Sequence, residues 1–197
     1  MRRTINIKES DLRDIVMDVI NEAYGVPSIG RFKRLVTDYT NGAVQCANDF
    51  LKPLGLSLSV NWDYDFDFDG WRDTIGVYEN GSVFEDNISI GMNIDALYQS
   101  VKREIGQWPD TVPETIIKES ICTNVYHEMG HGLVDLISDY LQYSNDLDEI
   151  YDNNKQLFDT VLDNEEDSVE KFAWDFYDNQ LESNDLYRVI QLYSEIL

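Results

Sequence analysis

The stretch that decides how this chain is interpreted is His127-Glu128-Met129-Gly130-His131. It contains both histidines of the 197-residue sequence. On a helix, positions i and i+4 lie on one face about one turn apart, so both imidazoles can bind a single metal ion. Glu128 lies roughly 100° around the helix axis and can act on a water molecule beside that ion. A pair of ordinary core or surface histidines on an amphipathic helix is the alternative.

A long helix is predicted around this motif. Residues 113–142 have Pro and Glu at their start and no internal proline, which favours one long helix or two closely joined ones. Leu133 and its helical neighbours fall opposite His127, so one face can pack while the other holds metal. Gly130 and Gly132 each lower helix propensity by roughly 1 kcal/mol relative to alanine. We therefore expect a neighbouring element to approach the helix closely at these glycines.

Two histidines leave a zinc site one protein ligand short, and a carboxylate must supply it because the sequence has no third histidine. The best candidate segment is residues 165–174, where apolar residues repeat at the spacing of a helix with one buried stripe. Glu165 and Glu166 flank that stripe on either side, so periodicity leaves both open. Each could instead be a solvated first-turn residue favoured by the helix dipole.

The two segments together resemble a known family of metallopeptidases. The match consists of the first motif and the later pattern Glu166-x-x-Val169-Glu170-x-Phe172-Ala173. It is similar to zincins whose third ligand is a glutamate on a later helix, such as minimal zincins of the ImmA/IrrE type and, more distantly, CaaX-prenyl endopeptidases. The resemblance covers roughly residues 88–178. Val169 stands where the family usually has alanine, and Glu170 stands where it has Asp or Asn.

This resemblance implies a zinc-dependent endopeptidase that acts on a protein or peptide substrate. Its cofactor is then Zn²⁺ held by His127, His131 and Glu166. Glu128 is the implied catalytic residue, the general base that takes a proton from the attacking water. A tyrosine or histidine often stabilises the oxyanion in zincins, but a sequence with 12 tyrosines leaves the choice open.

The sequence before the motif predicts a small twisted sheet packed on helices, an α+β and zincin-like fold. Residues 56–62 alternate apolar and polar side chains, and residues 74–79 and 82–85 flank a hairpin turn signal, Asn80-Gly81. Residues 87–93 form a further predicted strand, which the zincin resemblance implies is a sheet edge that pairs with an extended substrate. Helices are predicted at 30–52, 94–106, 113–142, 146–162, 164–181 and 184–196.

An acidic stretch, Trp62–Gly70, alternates aromatic residues with aspartates. This pattern predicts an edge strand with one wet face. The segment Asp65-x-Asp67-x-Asp69-Gly70 also matches the first half of a calcium loop, but the position of the bidentate glutamate falls on Gly76. The strand is therefore the preferred interpretation.

Composition and charge limit the partners. The net charge of −23 should repel nucleic acid and membrane surfaces and attract a basic peptide or protein surface. Acidic charge that only maintains solubility is the alternative. No run of 18 apolar residues exists, and the N-terminus lacks the apolar core of a signal peptide. We expect a soluble, unexported protein.

The N-terminal residues 1–27 are predicted to be an arm with an amphipathic helix, separate from a metallopeptidase domain at 28–197. The arm is similar to a short "(I/L)xESDLxxIVxxVI" element of crAss-like and related gut Bacteroides bacteriophages, which implies a phage-encoded protein in a host cytoplasm or a phage virion. It could dock on a phage virion protein or pack on its own domain. The second function considered is a virion structural or adaptor protein that retains a zincin fold and its zinc site.

Overall fold

The computed structural model describes residues 16, 29–65, 74–79, 86–107, 114–143 and 147–194. Within these residues, six α-helices and three β-strands form an α+β fold, as predicted. The helices are α1 (Ile29–Leu51), α2 (Ile94–Gln107), α3 (Glu114–Tyr143), α4 (Asp148–Asp163), α5 (Glu165–Tyr177) and α6 (Asp185–Ser194). The strands are β1 (Ser57–Asn61), β2 (Gly76–Glu79) and β3 (Asn87–Met92), with short 3₁₀ turns at Lys52–Leu54 and Leu181–Ser183.

The helices lie within a few residues of their predicted bounds except at the end of α5. The predicted helix extended to residue 181, but α5 ends at Tyr177. Asn179 adopts a left-handed backbone with φ of 58°, which a right-handed helix of L-residues does not continue. The N–H of Gln180 donates to the carbonyl of Asp175 at 2.7 Å, the closing bond of a helix with a left-handed C-terminal residue.

The three strands form a mixed sheet in the order β1-β3-β2. β1 runs parallel to β3 and β2 runs antiparallel to it. The expectation that the strand before the active-site helix is an edge is therefore wrong, because β3 is central and β2 is an edge of the described sheet. The burial of Ile88, Ile90 and Met92 explains the central position. The turn at Asn80-Gly81 and the strand predicted at 82–85 lie outside the described residues.

The strand predicted from Trp62 is wrong for residues 62–65, which form a turn and irregular chain. β1 ends at Asn61, whose side-chain Oδ1 accepts a hydrogen bond from the N–H of Asp63 at 3.0 Å. Such a local bond offers the backbone an alternative to strand pairing. The remaining residues of the acidic stretch, 66–70, lie outside the described part of the chain.

α3 is the central helix of the fold, and it contacts α1, α5 and the sheet. The predicted packing face is confirmed at Val125, Met129 and Leu133, which are fully or almost fully buried, whereas Leu136 and Tyr140 of the same face are half-buried. The N-terminal half of α3 also packs on α1 and α2 through a smaller apolar cluster. This cluster consists of Phe32, Val36, Leu97, Tyr98, Ile117 and Ile121.

The two glycines after Met129 let neighbouring elements approach α3 closely, as the sequence predicted. A Cβ atom at Gly130 would lie 2.9 Å from Cγ1 of Val169 on α5. A Cβ atom at Gly132 would lie 2.6 Å from Cγ2 of Ile88 on β3. Atoms this close overlap, so only glycine at these positions allows α5 and the sheet to reach α3 beside the histidine motif.

No helix in the described part of the chain is long and apolar enough to cross a membrane. The N-terminal arm predicted at residues 1–27 lies outside the described residues apart from Val16. The predicted boundary at residue 27 therefore stays a prediction.

Candidate metal centre

Three side chains converge where α5 crosses α3. His127 and His131 lie one turn apart on α3, and Glu166 lies in the first turn of α5. The two Nε2 atoms are 3.2 Å apart. Each Nε2 also lies 3.5 Å from one of the two carboxylate oxygens of Glu166. With one ligand atom taken from each residue, the three atoms lie within 4.8 Å of one another, so the group could hold a metal ion.

The spacing and chemistry of these donors fit zinc. A tetrahedral zinc ion with bonds of about 2.0–2.1 Å separates its ligand atoms by about 3.3–3.4 Å. The separations of 3.2 and 3.5 Å between the nitrogen and oxygen atoms are close to that value. Two imidazoles and one carboxylate form the donor set of many catalytic zinc sites and leave a fourth position free.

Two further glutamates of α5 contact the outer nitrogens of the histidines. Glu165 Oε1 lies 2.5 Å from Nδ1 of His131, and Glu170 Oε2 lies 3.2 Å from Nδ1 of His127. The second contact is an ion-pair distance without hydrogen-bond alignment, because Nδ1 of His127 has no hydrogen-bond partner. With both Nδ1 atoms facing carboxylates, both Nε2 atoms face Glu166, the orientation in which an outer carboxylate fixes an imidazole ligand.

The geometry assigns different positions to the two glutamates that periodicity left open. Glu166 contacts the Nε2 atoms of both histidines, whereas Glu165 contacts only Nδ1 of His131. The side chain of Glu166 is also 77% exposed, so a metal ion can reach its carboxylate from solvent. Burial and the neighbouring His131 lower the pKa of His127, which favours the neutral imidazole that binds metals.

Glu128 lies on the β2 side of α3 and is buried, with 8% of its surface exposed. Burial raises the pKa of its carboxyl group to about 7 in the metal-free chain, and the nearby His131 opposes this shift. The carboxylate also accepts a hydrogen bond from the backbone of Tyr78, on the edge strand β2. Glu128 is thus a desolvated carboxylate close enough to His131 to feel its charge, an arrangement that suits a general base.

Gly76 makes this burial possible. A Cβ atom at this position would lie 2.2 Å from Oδ1 of Asn124 and 3.2 Å from Oε1 of Glu128. Asn124 lies one turn before Glu128 on the same face of α3. Its Oδ1 is buried and has no hydrogen-bond partner. The backbone of β2 therefore covers Asn124 and Glu128 with no room for a side chain between them.

Tyr78 lies near the cluster. The sequence could not single it out among the 12 tyrosines of the chain. Its ring lies against Gly132, and its hydroxyl hydrogen-bonds to Asp135. Burial, followed by the charges of Glu165 and Asp139, raises the pKa of Asp135. This contact directs the Tyr78 hydroxyl towards the C-terminal side of His131.

The sequence motifs indicated no role for several residues that surround the site. The spacing of Asn124 and Glu128 at i and i+4 is a signal that could have indicated a shared face. Glu165 and Glu170 stand in the predicted ligand segment, but the sequence does not indicate which histidine each of them contacts. Nothing in the local sequence distinguishes Gly76 or Tyr78.

A cleft of about 420 Å³ adjoins the site on the N-terminal side of His127. It lies between the start of β2, the middle of α3 and Glu170 of α5. Its lining consists of Thr74, Ile75, Gly76, Ser120, Thr123, Asn124, His127, Glu128 and Glu170. The cleft thus opens directly beside one candidate ligand and the candidate base.

Comparisons with known proteins give no match. The chain matches no protein-family model, no curated protein and no solved structure.

Proposed function

We propose that this protein is a zinc-dependent endopeptidase that hydrolyses peptide bonds, with a zincin-like fold. One observation carries the proposal. Both imidazole Nε2 atoms and the carboxylate of Glu166 converge at zinc-ligand spacing, and a buried carboxylate, Glu128, lies beside them. A zinc site that only stabilises a fold needs no buried base and is usually closed by four protein ligands.

Each of these residues has its own role in the proposed reaction. His127, His131 and Glu166 would hold zinc, which acts as a Lewis acid and lowers the pKa of water towards neutrality when bound. Glu128 accepts a proton from the water that attacks the peptide carbonyl carbon. As the carbon–nitrogen bond breaks, Glu128 returns this proton to the leaving amine nitrogen.

The edge strand β2 is the candidate platform for the substrate backbone. It pairs with β3 on one side, and in the described sheet no strand covers its other side. That side faces Glu128, since the backbone of Tyr78 donates to this carboxylate. An extended peptide that added to β2 would therefore pass next to the candidate base.

The function is tested by the metal dependence of cleavage. The purified chain, loaded with Zn²⁺, should cut an unfolded protein substrate, lose this activity after chelation and regain it when Zn²⁺ is restored. A chain that binds zinc and cleaves none of a broad panel of unfolded proteins and peptides would reject the proposal. That outcome would favour the alternative, a virion structural or adaptor protein with a retained zinc site.

The proposed biological setting is a phage-encoded protein in a host cytoplasm or a virion. It is supported only by the N-terminal sequence element. Residues 1–25 would then dock on a virion protein through their apolar stripe. The net charge of −23 supports a basic substrate or partner and disfavours nucleic acid.

A further inference from the structure

The cleft beside His127 and Glu128 is lined mainly by acidic and neutral polar side chains. Carboxylates of Glu128 and Glu170 lie in its lining, and no lysine or arginine does so among the described residues. Polar neutral groups from Thr74, Ser120, Thr123 and Asn124 make up most of the remaining lining.

Two of the lining groups already make hydrogen bonds within the protein. Thr123 Oγ1 donates to the carbonyl of Glu119 at 2.8 Å, so its oxygen is left as an acceptor. Nε1 of Trp174 donates to Oε1 of Glu170 at 2.9 Å and holds this carboxylate in place. Glu170 is 59% exposed, so its carboxylate can accept a further donor from the cleft.

A cleft with carboxylates and no basic group among its described lining favours a positively charged hydrogen-bond donor. Lysine ammonium and arginine guanidinium groups are the protein side chains with this property. Aliphatic side chains would leave these polar groups without solvent or partners, and acidic side chains would be repelled. The volume of about 420 Å³ is large enough for one long side chain.

We propose that this cleft is a specificity subsite that binds a lysine or arginine side chain of the substrate, next to the bond that is cut. The inference rests on the proposed peptidase function for the identity of that bond, but the cleft can bind a cationic side chain without catalysis. It also gives a local basis for the attraction that the net charge of −23 predicts at long range.

The test measures binding to the zinc-loaded full chain by calorimetry. Two ketomethylene peptides are used, which cannot be cut because carbon replaces the amide nitrogen of one bond. One peptide has lysine on both sides of that bond, and the other has norleucine, which is as long but uncharged. We expect the lysine peptide to bind about tenfold more tightly, with a preference that weakens at high salt.

Two matched variants locate the preference. Thr123→Lys places a cation in the cleft and should abolish the preference for lysine. Thr160→Lys makes the same change of charge at an exposed helical threonine that, like the half-buried Thr123, donates to its i−4 carbonyl, and it should keep the preference. Ser120→Lys is a second cleft variant if Thr123→Lys does not fold.

Equal binding of the two peptides, tighter binding of the norleucine peptide, or a preference that persists in the folded cleft variants would overturn the subsite. A preference for lysine in a chain that cuts nothing would reject the peptidase and keep the subsite. Cleavage of peptides with no preference for basic residues would do the reverse.

Discussion

The two sides of α3 form the site in different ways. On the α5 side, three glutamates surround two imidazoles, and the central carboxylate of Glu166 is 77% exposed. On the β2 side, the backbone at Gly76 presses on Asn124 and Glu128, and only 8% of Glu128 is exposed. The α5 side thus provides charge and candidate ligands, whereas the β2 side provides burial.

Under the proposed function, this difference assigns metal binding and proton transfer to separate elements. Changes on the α5 side should act on the affinity for zinc, because they remove a ligand or a partner of an imidazole. Changes on the β2 side should act on turnover while zinc is kept, because Glu128 does not contact the converging ligand atoms. This comparison would be contradicted by α5-side variants that leave zinc affinity unchanged or by β2-side variants that lose zinc.

The largest expected effect is that of Glu128→Gln. This variant should lower the rate of peptide cleavage about a thousandfold or more, because the general base is removed. Zinc content should stay at the wild-type level, since the residue is not a candidate ligand. Both are measured on one preparation, by cleavage of a fluorogenic peptide and by elemental analysis. Equal cleavage by the two forms would reject the role of Glu128.

A smaller effect is expected for Gly76→Ala. The added Cβ would lie 2.2 Å from Oδ1 of Asn124, so β2 or the Asn124 and Glu128 side chains must shift. Displacing a reacting group by about 1 Å can reduce activity about a hundredfold. We expect such a loss with zinc affinity unchanged.

The matched control for this change is Gly42→Ala, since a Cβ at Gly42 meets no atom within 4 Å. It should keep full activity and raise stability by up to about 1 kcal/mol, because alanine favours the helix interior. Full activity of Gly76→Ala would show that β2 does not hold the base in place.

On the other side of α3, Glu165→Gln and Glu170→Gln should each weaken zinc binding about 10- to 100-fold, the usual effect of removing a partner of a ligand histidine. Glu165→Gln acts through His131 and Glu170→Gln acts through His127. Competition with a fluorescent chelator measures the affinities. Glu149→Gln, exposed on α4, is the control for the change of charge, and an equal effect of all three variants would refute the positioning roles.

The smallest effect on the zinc-loaded domain itself is expected when residues 1–25 are deleted. If this arm binds a partner chain, the zinc-loaded domain should keep its melting temperature within about 3 °C, which corresponds to about 1 kcal/mol at this size. Thermal unfolding followed by circular dichroism checks this, and incorporation of the truncated protein into particles should be lost. A large fall in melting temperature would show that the arm belongs to the core of the domain.

Local sequence patterns predicted most of the helices, because most of them bury a stripe of apolar residues with a helical period, whereas α3 is buried on several sides. The glycines of α3 were also predicted to be close-approach points, since two residues with low helix propensity lie beside the motif. The failures involve pairing and turns. The central place of β3 depends on its pairing with both β1 and β2, which are distant in sequence from one another. The end of β1 depends on one hydrogen bond that the Asn61 side chain accepts from the N–H of Asp63.

The candidate site was predictable on α3 and less so elsewhere. The spacing of His127 and His131 on one helix brings their imidazoles together in any fold that contains this helix. The choice between Glu165 and Glu166 depends on how α5 lies across α3, which follows from the packing of Val169 against Gly130. Periodicity within α5 carries no such information. The approach of Gly76 to Glu128 is likewise a tertiary contact without a local sequence signal.

The measurement that tests the central claim most directly is the zinc content of wild-type, Glu166→Gln and Glu165→Gln chains after dialysis against a fixed concentration of free zinc. We predict one zinc per chain in the wild type. At saturating zinc, Glu165→Gln should reach the same content and Glu166→Gln should stay far below it, because only Glu166 contacts both Nε2 atoms. Undiminished zinc in Glu166→Gln, with wild-type affinity, would contradict the assignment of His127, His131 and Glu166 as the zinc ligands.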